Sequence, residues 1–478
     1  MNLLSRLCKK PEIIVAALSL LFGLVFIGII RPLQTPDEAH HFIRAYEISE
    51  GKIAFERSQK GSCMSDDHMY NADGQFTYLT VPKSITNFAG VIDRYTYSIK
   101  EQIKQPLNVY DTIHVCADQT AANSPIGYLP QALVIVLLRP FNTAPILMDY
   151  AARLAILAIW TTFIYAAVKI IPVRKWAVVG IALLPIAVQQ SIAIGPDVLS
   201  VAPAVLAVAY IVRSYYEDRR KDIKKDLLII GSLIAIAALA KPIMILLILL
   251  LPFYYVAHGK KKGLLRRYDI KLKSIAVLIP IITWSIWGVF AAIHHISTND
   301  VFLLAREHTQ AFKDAPLQEA HTFTTEAIRY VFYDLSLWGY GSFEWFTATI
   351  PKTFSNVGIV ILALILMVSY TEKNAPIRKI TAKHINLYKL ATLVVAGGLL
   401  LANIFTLYMI YTKPEYWLVT GMQFRYLLSV FFVLACVVET KFLRASDVWY
   451  RNLVLISSIS LFIISVLTIM GSIPPNVQ

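Results

Sequence analysis

The stretch Thr35-Pro36-Asp37-Glu38-Ala39-His40-His41 sets two carboxylates beside two imidazoles, and Arg44 follows three residues after His41. On a helix, Asp37, His41 and Arg44 share one face through i, i+4 and i+3 spacing, and His40 and Arg44 also lie four apart. A carboxylate facing an imidazole and a guanidinium suits proton abstraction next to an anionic leaving group. Thr35 reads as the N-cap, Pro36 as the first helical residue and Glu38 as the third, which is a capping box. Capping would account for Glu38, and complementation of the helix dipole for Asp37. Neither accounts for the neighbours. A Glu38 occupied by capping leaves Asp37 as the better general base. Glu38 and His41 complete the candidate catalytic set, and His40 and Arg44 are candidate substrate-binding groups.

The element that must position this cluster is a membrane helix. Residues 11–30 are a continuous apolar run, long enough to cross a bilayer. Ionisable residues at its mouth are costly near lipid and read as a functional site. The chain of 478 residues is 56% hydrophobic and 16% charged, with a mean hydropathy of +0.57. A soluble fold of that composition would expose too much apolar surface. The apolar runs are continuous rather than alternating, which excludes a barrel and leaves an all-α polytopic membrane protein. No cleavage site follows residue 30, so the first segment is expected to be retained. The net charge of +14 lies in short clusters between apolar segments. It therefore reads as a topology signal and not as a nucleic-acid surface.

Apolar segments lie near 11–30, 125–138, 148–171, 176–194, 197–213, 227–240, 242–257, 274–292, 355–370, 388–411, 425–440 and 452–471. If every segment spans, the basic clusters near 220 and 260 fall on the outer side, against the positive-inside rule. If 125–138 lies on the outer face instead, all clusters fall inside. That segment is the shortest, contains Pro130 and is flanked by Pro125 and Pro140. The expectation is about eleven transmembrane helices in one polytopic domain over 1–478. The N-terminus is then cytoplasmic, the C-terminus extracytoplasmic, and the large outer loops run over 31–147 and 293–353. Cys63 and Cys116 both fall in the first outer loop and are expected to form a disulfide that braces an irregular segment. No CxxC or His/Cys spacing suggests zinc.

Other polar residues recur at the same face. Gly195-Pro196-Asp197 opens a helix there, and Lys241-Pro242 interrupts an apolar hairpin at its outer tip. Gln423-Phe424-Arg425-Tyr426 sits where a late outer loop enters a helix. Lys241 and Arg425 are cations on the side where cations are disfavoured. A phosphate partner and snorkelling to headgroups both explain them, and the planar fork of Arg425 suits phosphate. Both are expected to converge on one site with Asp197, Gln423 and Tyr426. Arg153 is a weaker member of this set. The aromatic stretch Trp338–Phe346 reads as an interfacial belt with Glu344 as a weak candidate, and Asp66-Asp67-His68 reads as a solvated loop.

In order along the chain, Pro36-Asp37-Glu38-Ala39-His40, Ser124-Pro125-Ile126-Gly127-Tyr128, Gly195-Pro196-Asp197, Lys241-Pro242, Gly341-Ser342-Phe343 and Gln423-Phe424-Arg425-Tyr426 resemble a bacterial family of uncharacterised polytopic membrane proteins. That family looks related to the GT-C glycosyltransferases. The resemblance implies a polyprenyl-phosphate-linked sugar as donor and a cell-surface glycan or polymer as acceptor. It implies a catalytic acidic residue in the first outer loop and a second a few helices later, matched by Asp197. Ile126 stands where the second proline of a double-proline motif is expected. The implied reaction is inverting transfer in one step, with Asp37 taking the acceptor proton and Lys241 and Arg425 meeting the leaving phosphate. No Gly-rich phosphate loop is present, which fits a lipid-linked donor. No cofactor is certain, and a divalent metal stays open because some GT-C members use one. The rivals are a transporter or flippase of lipid-linked saccharides and a non-catalytic envelope assembly protein. A transporter should carry its polar groups near the midplane in repeated halves, and neither is visible in the sequence.

Overall fold

The computed structural model describes residues 10–472, apart from 66–67, 91–97, 117–119, 121–122, 218, 220, 256–263, 295–299, 334–341, 344–347, 372–381, 414–418 and 438–441. Glu344, Asp66, Asp67 and most of the Trp338–Phe346 stretch lie outside the described residues.

Helix α1 (Pro11–Ile29) leads into α2 (Glu38–Ser49), which carries the first cluster. Three strands follow, β1 (Glu56–Ser65), β2 (His68–Pro82) and β3 (Thr112–Cys116), with the short helices α3 (Lys83–Ala89) and α4 (Ile99–Ile103) between β2 and β3. A 3₁₀ turn, Pro125–Tyr128, opens α5 (Leu129–Leu138). The bundle continues with α6 (Pro145–Ile170), α7 (Lys175–Ala182), α8 (Pro185–Ile192), α9 (Asp197–Ser214), α10 (Ile223–Ala240), a 3₁₀ helix over Pro242–Phe253, and α11 (Leu264–His294). Helices α12 (Asp300–Asp314) and α13 (Pro316–Tyr333) precede α14 (Lys352–Met367), α15 (Ala382–Tyr411), a second 3₁₀ turn at Phe424–Leu427, α16 (Leu428–Ala435) and α17 (Asp447–Ser472).

Six of the described helices are long and apolar enough to cross a membrane: α1, α6, α9, α11, α15 and α17. The α7–α8 pair would make a seventh, but it is bent by 66°. The expected straight segment 176–194 is therefore broken, at Leu184-Pro185, where the proline supplies no backbone N–H to continue the ladder. The other four expected spans fall on helical elements that are shorter or carry charges. Length and composition qualify six or seven crossings rather than eleven. Helix α5 has ten residues. It rises about 15 Å, half of the hydrocarbon thickness, so it does not span as a helix by itself. Its Leu133, Val136 and Leu137 are exposed while Gln131, Ala132 and Ile135 are buried, the pattern of a helix laid against a membrane-facing surface.

In the core α1 packs on α6, α6 on α9, α9 on α10 and α10 on α11, while α15 packs on the 3₁₀ helix 242–253 and on α16. At the far end of α6, Arg174 donates to the carbonyls of Val368, Leu366 and Ala435. It thereby satisfies helix ends that would otherwise leave buried acceptors unpaired.

The segment over 31–147 departs from the irregular loop expected there. It holds a small sheet in which β2 pairs antiparallel with β1 and β3, and β1 meets β3 in parallel at Met64 and Val115. Cys63 and Cys116 are bonded across it with Cα atoms 5.1 Å apart. The run Thr77-Tyr78-Leu79-Thr80-Val81 is rich in β-branched and aromatic residues and sits in the central strand.

Candidate functional site

The helix carrying the acidic cluster starts later than the capping box predicts. Asp37 is the N-cap and takes a left-handed backbone, φ 64°. Asp tolerates that conformation better than most residues. Its carbonyl accepts the first helical bond, from His41 N–H. The turn sends consecutive carboxylates in opposite directions, Asp37 toward a cavity and Glu38 into the protein.

Glu38 is sealed. Its carboxylate takes Arg153 Nε at 2.9 Å and Nη2 at 2.5 Å, and the backbone N–H groups of Thr35 and Ile194 at 3.2 Å each. Arg153 donates further to the carbonyls of Ile30 and Arg31. Asp149 Oδ1 lies 3.1 Å from Arg153 Nε, close enough for an ion pair but not aligned as a hydrogen bond. All three side chains are fully buried. This network ties the end of α1, the start of α2, α6 and the 194–196 turn together. The capping bond to Thr35 N–H is real, but it is one of four. Glu38 and Arg153 do not line the cavity, and their polar atoms are engaged in this network.

The cavity measures about 320 Å³ and is lined by Asp37, His41, Asp197, Lys241, Arg425 and Tyr426 among others. Arg425 Nη2 donates to Asp37 Oδ2 at 2.5 Å and Nη1 to the Pro36 carbonyl at 3.0 Å. Its Nε is buried with no hydrogen-bond partner among the described residues. Lys241 pairs with Asp197. The two cations converge as expected: Lys241 Nζ lies 4.9 Å and the Arg425 guanidinium carbon 5.1 Å from the ring centre of Tyr426. Asp197 opens α9 and Lys241 closes α10, so each charge sits at the helix end its sign favours. Burial by itself would raise the Asp37 pKa. The Arg425 guanidinium, with His41 and His40 behind it, overcomes that and holds the carboxyl below the usual aspartate range. The lining also includes the apolar side chains of Ile243, Leu407 and Ile410.

Three other expected site residues, His40, Arg44 and Gln423, do not line the cavity. His40 bears on Asp37 through its charge. Arg44 turns inward, donates to Glu47 at 3.2 Å and stacks over Phe55. Asp37 and His41, four residues apart, do meet at the cavity, but Arg44 leaves the face expected from the sequence. Gln423 is the residue before the 3₁₀ turn and serves through its carbonyl, which accepts from Tyr426 N–H. Sequence reasoning also passed over Asn123, Thr120 and Asn403, all in the lining. Asn403 carried a signal, being an amide inside an apolar membrane segment. Its Nδ2 donates to Leu399 and Tyr426 carbonyls.

A divalent cation does not fit the described residues. No three His, Cys, Asp or Glu side chains gather among them, and both cavity carboxylates are already neutralised by basic side chains. No curated protein and no solved structure matches the chain. One family profile does match, over residues 20–435, and it contains every residue of the cavity described above. The chain belongs to that family, described as predicted membrane protein DUF2142.

Proposed function

We propose that the protein is a membrane glycosyltransferase that moves a sugar from a polyprenyl-phosphate donor to a glycan or polymer acceptor on the extracytoplasmic face, with inversion. The carrying observation is one cavity whose lining combines two carboxylate–cation pairs with apolar side chains. Such a lining suits a substrate that is charged at one end and lipid at the other. In this reading the N-terminus is cytoplasmic and the basic loops near 220 and 260 face the cytoplasm, by the charge distribution.

Asp37 accepts the proton of the acceptor hydroxyl as its oxygen attacks the anomeric carbon. The bond from that carbon to the phosphate oxygen breaks, and the electron pair leaves with the lipid phosphate. As Asp37 becomes neutral its hold on Arg425 weakens, at the moment the phosphate gains charge. Arg425, whose buried Nε has no hydrogen-bond partner among the described residues, and Lys241 then stabilise the leaving group. The pairing of each cation with a carboxylate keeps it charged and placed before the lipid arrives.

A second reading, movement of lipid-linked saccharides, draws on the 66° break between α7 and α8, since broken helices form transporter sites. The residues at the break, Ile181 to Ile186, are apolar, whereas the charges lie at Asp37 and its neighbours. The test is sugar transfer in membranes from a labelled polyprenyl-phosphate sugar, at matched protein level. Asp37→Asn should lower transfer at least about a hundredfold. Full activity in that variant would reject Asp37 as base, and flipping without transfer in the parent protein would favour the second reading.

A further inference from the structure

His41 reaches the cavity beside Asp37, and its orientation comes from residues outside the charged set. Its Nδ1 lies 2.8 Å from Tyr128 Oη. Asn123 Nδ2 donates to the same oxygen at 3.0 Å. Tyr128 is fully buried, does not line the cavity, and so has no contact through which it could serve a ligand directly. It sits at the end of the 3₁₀ turn that Ser124 caps by accepting from Ile126 N–H at 3.3 Å.

The same turn is fastened to the 194–196 loop. A Cβ at Gly127 would stand 2.8 Å from Pro196 Cβ, and a Cβ at Gly195 would stand 3.1 Å from His41 Cδ2. Both glycines are needed for close approach. Gln131 Nε2 donates to the Gly195 carbonyl at 2.9 Å, which fixes α5 to that loop. The imidazole is therefore packed against the loop on one side and hydrogen-bonded to the phenol on another.

We propose that Tyr128 is a positioning residue for His41, passing to Nδ1 the hydrogen bond that begins at Asn123. The neutral imidazole is then held with its proton on Nε2, the tautomer that donates toward a substrate oxygen. The physical reason is directional. In the proposed arrangement the phenol oxygen accepts from Asn123 and gives its own hydrogen to Nδ1, and the partner of one ring nitrogen sets the state of the other. The catalytic meaning rests on the glycosyltransferase reading, but the tautomer does not.

The test is ¹⁵N NMR of histidine-labelled full-length protein in lipid bilayers, with the His41 signal assigned by its loss in His41→Gln. In the parent protein, at a pH where the ring is neutral, the Nε2–H form should dominate. Tyr128→Phe, which keeps the ring and removes the hydroxyl, should give a mixture of both tautomers. In the transfer assay Tyr128→Phe should lower kcat about tenfold with little change in KM. The double variant with His41→Gln should be no worse than His41→Gln alone, since the two act as a unit. Asn123→Asp replaces the amide donor by an acceptor and should move the population toward Nδ1–H. An unchanged tautomer in Tyr128→Phe overturns the proposal whatever the activity. Additive losses in the double variant also overturn it, because Tyr128 would then act apart from His41. A tautomer shift in a protein that transfers no sugar upholds the positioning and rejects the glycosyltransferase reading.

Discussion

Asp37 and Glu38 are neighbours in sequence, and each meets an arginine at 2.5 Å. Beyond that they differ in every respect that bears on function. Glu38 and Arg153 are completely closed off, and almost every polar atom they present is taken up by protein. Asp37 keeps about a quarter of its side chain exposed, and its arginine retains a buried Nε without a partner among the described residues. A sealed ion pair does its work by holding chain segments together, and it repays its desolvation through many simultaneous bonds. A pair facing a cavity is left with valence to offer a ligand. The contrast predicts that damage to the first appears as loss of folded protein and damage to the second as loss of chemistry.

The largest expected effect is on the sealed side. Arg153→Ala leaves Glu38 and Asp149 buried without a cation and should cost about 3–5 kcal/mol. Thermal unfolding in detergent would show it, along with a fall in membrane-inserted protein. An Arg153→Ala protein with parental stability would break the comparison. Glu38→Gln keeps the shape but loses the charge pairing, and it should lower stability more than the specific activity of the protein that folds.

Next comes the loop disulfide, which closes 53 residues of chain. Cys63→Ser with Cys116→Ser should destabilise the three-stranded sheet locally by about 2–4 kcal/mol. Hydrogen exchange on β2 and β3 reads this directly. Transfer activity should hold up better than it does in Asp37→Asn, because the charged lining residues Asp37, Asp197, Lys241 and Arg425 come from helix ends and not from the sheet.

A smaller effect is expected from pH. The Asp37 carboxyl is held below the usual aspartate range by Arg425, so its ionised form and the ion pair are present above that range. Both are lost only as pH falls through the depressed value. Activity should therefore hold down to about pH 4, the ordinary aspartate value. Arg425→Gln removes the largest stabilising charge and leaves burial unopposed by a guanidinium. The acid limb of the pH–rate profile should then move upward, while the melting temperature changes far less than in Arg153→Ala. An acid limb that stays in place in Arg425→Gln would dissociate the pair from the reaction.

Much of the site was legible one residue at a time. Lys241 and Arg425 stood out because a cation on the outer side needs a reason, and Asp197 because an aspartate after Gly-Pro at a membrane helix start is costly to keep. Their convergence over Tyr426 followed from the shared face. Asp37 and His41 meet at the cavity as their i, i+4 spacing suggests, whereas Arg44 is drawn inward by Glu47 and Phe55. No spacing rule marks that inward pull. Asn123 was passed over, and Tyr128 entered only as part of a motif with no role given, because a phenol that meets an imidazole 87 residues away in sequence has no spacing rule.

Composition and hydropathy by themselves determined that this is a helical membrane protein, because a bilayer demands long apolar runs and leaves the backbone few ways to satisfy itself. They also determined which polar residues are expensive enough to need a purpose. Only the tertiary structure decided which of two adjacent carboxylates faces the cavity, which arginine each one meets, and that 176–194 breaks. Those outcomes depend on contacts between segments far apart in the chain, such as Glu38 with Arg153 and Asp37 with Arg425. Their energies come from burial and geometry created only when the helices pack.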